Sequence, residues 1–142
     1  MDADMKKALE LLSSGDYTCA ACRGDDEYTS RARGVKPLLD LIDDARSLAG
    51  YCVADRVVGR AAAYLYVELG AKAVHALIMS RAAQEVFTRY SLPCTCDTLV
   101  DAIANRTNTG LCPMESAVAG IEDIDAGIAA IRRRAEELRA GH

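Results

Sequence analysis

The sequence predicts an α/β protein, a three-layer α/β/α sandwich around a mixed sheet of about five strands. Three observations point there. Residues 51–54 and 71–79 are short apolar runs of the kind that become strands buried on both faces. Between them, residues 57–69 are apolar almost all round and stop at Gly70, as a crossover helix joining two parallel strands does. Upstream, Arg23-Gly24-Asp25-Asp26 is a turn-rich tetrapeptide between two strand-like stretches, 17–22 and 27–30, which reads as a hairpin.

Taken in order, residues 2–14 form an opening helix, with Met5, Ala8, Leu9 and Leu12 on one face and Gly15 as its stop. The hairpin follows, and its second strand is short and polar enough to be a sheet edge. Val35-Lys36-Pro37 opens a helix carrying Leu38, Leu39, Leu41, Ile42 and Ala45, with the proline in the first turn. The first strand of the central unit ends at Asp55, which then starts a helix, and the second ends at Ser80, which starts another. A last short strand is expected at 93–95, a helical turn at 98–104, a polar loop at 105–111 and a helix from Pro113. Ile121, Ile124, Ile128, Ile131, Ala135 and Leu138 make a heptad-like seam on a closing helix, 123–139. That seam is too short for a free coiled coil, so it docks on its own domain or caps a dimer.

Residues 1–142 read as one domain, long enough to bury about two-thirds of the unfolded surface. Hydrophobic residues make up 51% and aromatics 5%, with no Trp, so base stacking on aromatic platforms is not expected. The net charge is −4 and the basic residues are scattered apart from Arg132-Arg133-Arg134, so no nucleic-acid face is expected. The charged start MDADMKK and the lack of a long apolar run predict a cytoplasmic chain with no membrane span. Its six cysteines should then stay reduced.

In mixed sheets of this kind ligands sit beyond the carboxyl ends of the parallel strands. Those ends carry Asp55, Arg56 and Ser80, and the loops able to close over them carry Arg33, Lys36, Asn105, Arg106 and Cys112. Arg33-Gly34 precedes one helix start and Asn105-Arg106-Thr107 with Gly110 precedes another. Backbone amides with a guanidinium suit a phosphate or a carboxylate. No dinucleotide or nucleoside-triphosphate fingerprint is present.

The order of elements, with Val53-Ala54-Asp55 before one helix and Met79-Ser80-Arg81-Ala82-Ala83 opening the next, resembles the cytidine deaminase-like fold. More narrowly, RGVKPLLDLI, VADRVVGRAAA and NRTNTGLCPME look like a small bacterial domain-of-unknown-function family, the one numbered 1893. The resemblance covers roughly residues 5–125, and it implies a deaminase-like sandwich without an established activity. Deaminases hold zinc with a His or Cys in [HC]-A-E and with both cysteines of P-C-x-x-C. Here the first pattern meets Val53-Ala54-Asp55 and the second meets Met79 to Ala83, so all three ligands are missing and zinc deamination is not expected.

The remaining cysteines do not supply a metal site. Cys19 and Cys22 point to opposite faces of a strand. Cys94 and Cys96 share a face but stand about 7 Å apart, where two thiolates on one zinc need about 3.8 Å. Neither a metal nor a cofactor is expected. Cys112 differs: it sits at N-cap, before Pro113 at N1 and Glu115 at N3. A helix dipole there favours a nucleophilic thiolate, Glu115 opposes it, and a plain cap-and-packing role competes. Asp55 is both a candidate helix cap and a candidate ligand contact. His75, mid-strand, reads as a buried, hydrogen-bonded core residue.

Three functions remain open. The leading one is a small anionic or nucleotide-like ligand, phosphate- or carboxylate-bearing, bound without zinc chemistry. Arg33, Gly34, Lys36 and Arg106 would hold the anion, Asp55, Ser80 and Asn105 would read polar edges, and Cys112 and Glu115 would line the loop. The second is a metal-independent enzyme using Cys112 as nucleophile or Asp55 as acid and base. The third is a regulatory module that forms a homodimer through its closing helix.

Overall fold

A computed structural model describes residues 2–32, 34–104 and 110–140. Asp2 caps the opening helix α1 (Ala3–Ser14) by accepting the Asp4 amide at 2.8 Å. The hairpin is β1 (Cys19–Arg23) and β2 (Asp26–Ser30), turning through Gly24 at a φ of +58°, which costs glycine nothing. There follow α2 (Lys36–Asp43), β3 (Cys52–Val58), α3 (Arg60–Leu69), β4 (Ala73–Ser80), α4 (Arg81–Arg89) and β5 (Cys94–Val100). The last elements are α5 (Pro113–Val118) and α6 (Ile124–Ala140).

The five strands form one mixed sheet in the order β2-β1-β3-β4-β5. β1 runs antiparallel to both β2 and β3, while β3, β4 and β5 are parallel. Side chains alternate across a strand, and the two cores follow that alternation. Cys19, Ala21 and Val53 belong to a large core shared with α2, α3 and α4. Ala20, Cys22 and Ala54 belong to a smaller one with Ala8 and Leu12 of α1. Cys19 and Cys22 therefore do lie on opposite faces, and Cys94 and Cys96 share the larger core's side.

α3 is the packing centre: Tyr64, Leu65 and Tyr66 are fully buried. α6 lies against it closely enough that a Cβ on Gly127 would come 2.8 Å from the Tyr64 ring. Much of the isoleucine seam docks on the body, with Ile131 buried and Ile124, Ile128 and Ala135 packed on the larger core. His75 is 8% exposed, and its ring nitrogens meet Thr95 Oγ1 at 2.6 Å and Asp97 Oδ1 at 3.0 Å. Among the described residues no helix is long and apolar enough to cross a membrane.

Sequence expectations fail at β3 and at β5. β3 does not end at Asp55 but runs to Val58, because Asp55 stays in register with Cys19 and the Arg56 amide still bonds to Thr18 O at 3.1 Å. Asp55 is thus no helix cap, and α3 begins at Arg60 rather than 57. The last strand is also longer than 93–95, and residues 98–100 are strand rather than helical turn. Thr98, Leu99 and Val100 continue the ladder opposite Ile78, Met79 and Ser80. As an edge strand, β5 leaves Thr95, Asp97 and Thr98 in solvent, which is why the stretch lacks an apolar signal.

Candidate functional site

The sheet places Asp55 and Cys19 directly opposite each other on β3 and β1, so both side chains emerge on the face covered by α2 and α3. Tyr66, two turns into α3, aims its hydroxyl at the pair. It donates to Asp55 Oδ2 at 2.5 Å, and Cys19 Sγ lies 3.2 Å from the Tyr66 hydroxyl oxygen. With the tyrosine proton given to the carboxylate, the thiol donates to the tyrosine oxygen. The three groups form a relay, Cys19 to Tyr66 to Asp55.

This relay is the floor of a cavity of about 660 Å³. Thr18 and Ser30 edge it on the hairpin side, Gly34, Val35 and Pro37 at the start of α2, and Gly59 and Ala61 at the start of α3. Ile103, Cys112, Met114 and Glu115 make the far wall. A second groove of about 800 Å³ runs between α2 and α6 and shares Gly34, Val35, Ala104, Cys112 and Met114 with the first.

Burial governs the chemistry of the floor. It pushes Asp55 up to about 6, against the opposing hydrogen bonds from Tyr66 and from the Val57 amide. Asp55 keeps some solvent exposure through the cavity, but its carboxyl lies well inside the fold. Burial, and then the Asp55 charge, push the Cys19 thiol up. Cys19 is therefore a protonated hydrogen-bond donor, neither a nucleophile nor a metal ligand. The Tyr66 hydroxyl is pushed up chiefly by burial as well.

The structure brings together Gly34, Asp55, Cys112 and Glu115 of the residues proposed from sequence. It separates others. Lys36 lines the second groove and turns to Asp40 on its own helix at 2.9 Å. Ser80 is 1% exposed and accepts the Ala83 amide at 3.1 Å, so it caps α4 and does not line the cavity. Glu115 lines the wall, but its two oxygens accept the amides of Arg60 at 2.7 Å and Ala61 at 2.9 Å. It is the cap of α3, a role that its distance in sequence concealed. Cys112 stands at the N-cap of α5 with no side-chain cap bond. Arg33, Asn105 and Arg106 lie outside the described residues.

The model of the domain-of-unknown-function family DUF1893 (TM1506) matches residues 7–134. The chain belongs to that family. A crystal structure of a DUF1893 family protein (TM1506) from Thermotoga maritima superposes with a TM-score of 0.87 at 23% identity, over 94% of this chain and 92% of that one. At that identity the likeness shows a shared fold. No curated protein matches this DUF1893 chain. Tyr66 and Cys19 complete the DUF1893 chain's floor; sequence reasoning missed Tyr66 and weighed Cys19 only as a metal ligand. The available signal was a hydroxyl in an otherwise apolar helix, since a buried tyrosine needs a partner. Among the described residues no three His, Cys, Asp or Glu side chains gather as a metal would need.

Proposed function

We propose that the cavity binds a small organic ligand, with Asp55 reading its polar edge, on a cytidine deaminase-like sandwich that works without zinc. The strand order β2-β1-β3-β4-β5, one antiparallel hairpin beside three parallel strands, supports the fold assignment. The zinc of deaminases does not fit these residues. The starts of α2 and α3 carry Val35, Lys36 and Pro37 on one side and Gly59, Arg60 and Ala61 on the other, none a zinc donor, and at the start of α5 Cys112 stands beside Glu115, whose oxygens are taken by the amides of Arg60 and Ala61. The one thiol on the floor is held protonated.

The observation that carries the reading is the relay itself. A carboxyl held at 2.5 Å by a fully buried tyrosine, at the floor of a cavity within the usual volume range for ligand sites of ~300–1,000 Å³, is a fixed recognition group. The expected phosphate or carboxylate contacts rest on Arg33, Lys36 and Arg106. Only Lys36 is described, and Asp40 engages it. A metabolite panel screened by thermal shift tests the proposal on wild type, Asp55→Asn and Tyr66→Phe. A ligand-induced shift lost in Asp55→Asn supports it. A shift that persists in both variants places the ligand elsewhere.

A second reading, acid–base catalysis by Asp55, is favoured by a carboxyl poised at about 6, close to where a group both takes and gives protons near neutrality. Cys112, on the wall of both cavities, is the other candidate group. A turnover profile that breaks near pH 6 in wild type and not in Asp55→Asn separates catalysis from binding alone.

A further inference from the structure

We propose that the group this cavity receives against Asp55 is a protonated nitrogen, an ammonium, amidinium or guanidinium head on a small apolar body. The inference rests on the reading that the cavity binds a ligand through Asp55, and it adds the chemical class. Asp55 presents a carboxyl inside the fold with no ion pair among the described residues. Its partners there are the Tyr66 hydroxyl and, at 3.3 Å, the Val57 amide. A buried carboxylate without a counter-charge is costly, and proteins ordinarily pair it. At this site the counter-charge is left for the ligand.

The surroundings favour a cation over an anion. Neither guanidinium on the described wall makes an ion pair with Asp55. Arg56 alternates to the α1 side of β3 and donates to the carbonyls of Tyr17 at 2.7 Å, Leu12 at 3.1 Å and Gly15 at 3.4 Å. Arg31 lies over the Tyr17 ring, 4.5 Å from its centre. Glu115 fills the start of α3, so the amides that would otherwise attract an anion are taken. An incoming carboxylate or phosphate would meet Asp55 and Glu115 and gain no free donor from α3. Much of the remaining lining is apolar, with Leu38, Val57, Ala62, Ile103 and Met114, and Tyr28 adds an aromatic side chain.

Three isosteric probes isolate the charge: benzamidinium, neutral benzamide and benzoate, titrated calorimetrically into the full chain at pH 7.5. The expected result is binding in the order benzamidinium, benzamide, benzoate, with benzamidinium weakened about a hundred-fold in Asp55→Asn. The comparison among probes in wild type needs no variant, so a poorly folding Asp55→Asn leaves the test intact. Benzoate binding as tightly as benzamidinium, benzamidinium binding unchanged in Asp55→Asn, or no binding by any probe would each overturn the proposal. The metabolite panel reports separately: an anionic ligand whose shift depends on Asp55 leaves the binding site standing and removes only the cation assignment.

Discussion

Gly59 has no room for a side chain because Glu115 fills the space. A Cβ built on Gly59 would overlap the Glu115 carboxylate, which sits against the amides of Arg60 and Ala61. One glycine in the β3–α3 turn and one acid 56 residues later thus join the wall of the cavity to its central helix.

Gly59→Ala should therefore act through Glu115. The backbone at 59 has a φ of −102°, open to alanine, so the cost comes from the displaced carboxylate and the lost helix cap. We expect a loss of about 1–2 kcal/mol in urea unfolding. In a Glu115→Ala background the same change should cost nearly nothing. An additive double-mutant cycle would show that the two residues do not share a role.

Asp55 makes stability pH-dependent. Its folded value of about 6 lies above the ordinary carboxyl value of 3.8, so the folded chain holds the proton more tightly. Its contribution is fully present below pH 3.8, falls as pH rises through 6 and is gone above that. Relative to wild type, Asp55→Asn should gain stability across that window, reaching about 3 kcal/mol by pH 7. Denaturant midpoints measured from pH 4 to 7.5 check this, and curves that stay parallel would contradict it.

Gly127→Ala sets two effects against each other. Helix propensity favours alanine by about 1 kcal/mol, whereas overpacking a fixed ring costs about 1–3 kcal/mol. The Tyr64 ring is fully buried and its hydroxyl is held by Ile121 O, so it has nowhere to retreat. The clash should win, lowering the unfolding midpoint, and Tyr64→Leu should shrink the penalty.

Ser80→Ala removes the cap of α4 and leaves the Ala83 amide without its partner. A loss of about 1 kcal/mol is expected, with ligand-induced thermal shifts unchanged because Ser80 does not line the cavity. A lost ligand shift would return Ser80 to the site.

The parts of this fold that bury a continuous apolar face could be read from sequence. α1, the hairpin, α3 and β4 lie within a few residues of their predicted positions, since their periodicity reflects the packing that forms them. β3 and β5 run past their predicted ends for different reasons. Asp55 looks like a stop yet has a local destination at Tyr66, whereas β5 is a solvent-exposed edge with no apolar run, its Asp97 meeting His75. The site was half legible. Asp55, Gly34, Cys112 and Glu115 could be named from spacing and turn chemistry, but Tyr66 and Cys19 depend on register across the sheet. Glu115's true partner lies on another helix, which a one-dimensional cap motif cannot indicate.

All five strands are complete by Val100, while the cavity has no far wall and α3 no cap until Glu115 is in place. As the chain leaves the ribosome, the scaffold thus precedes its own binding chamber. A nascent chain halted after β5 would leave the floor acid more open to water, with the low dielectric that sets its proton affinity not yet complete.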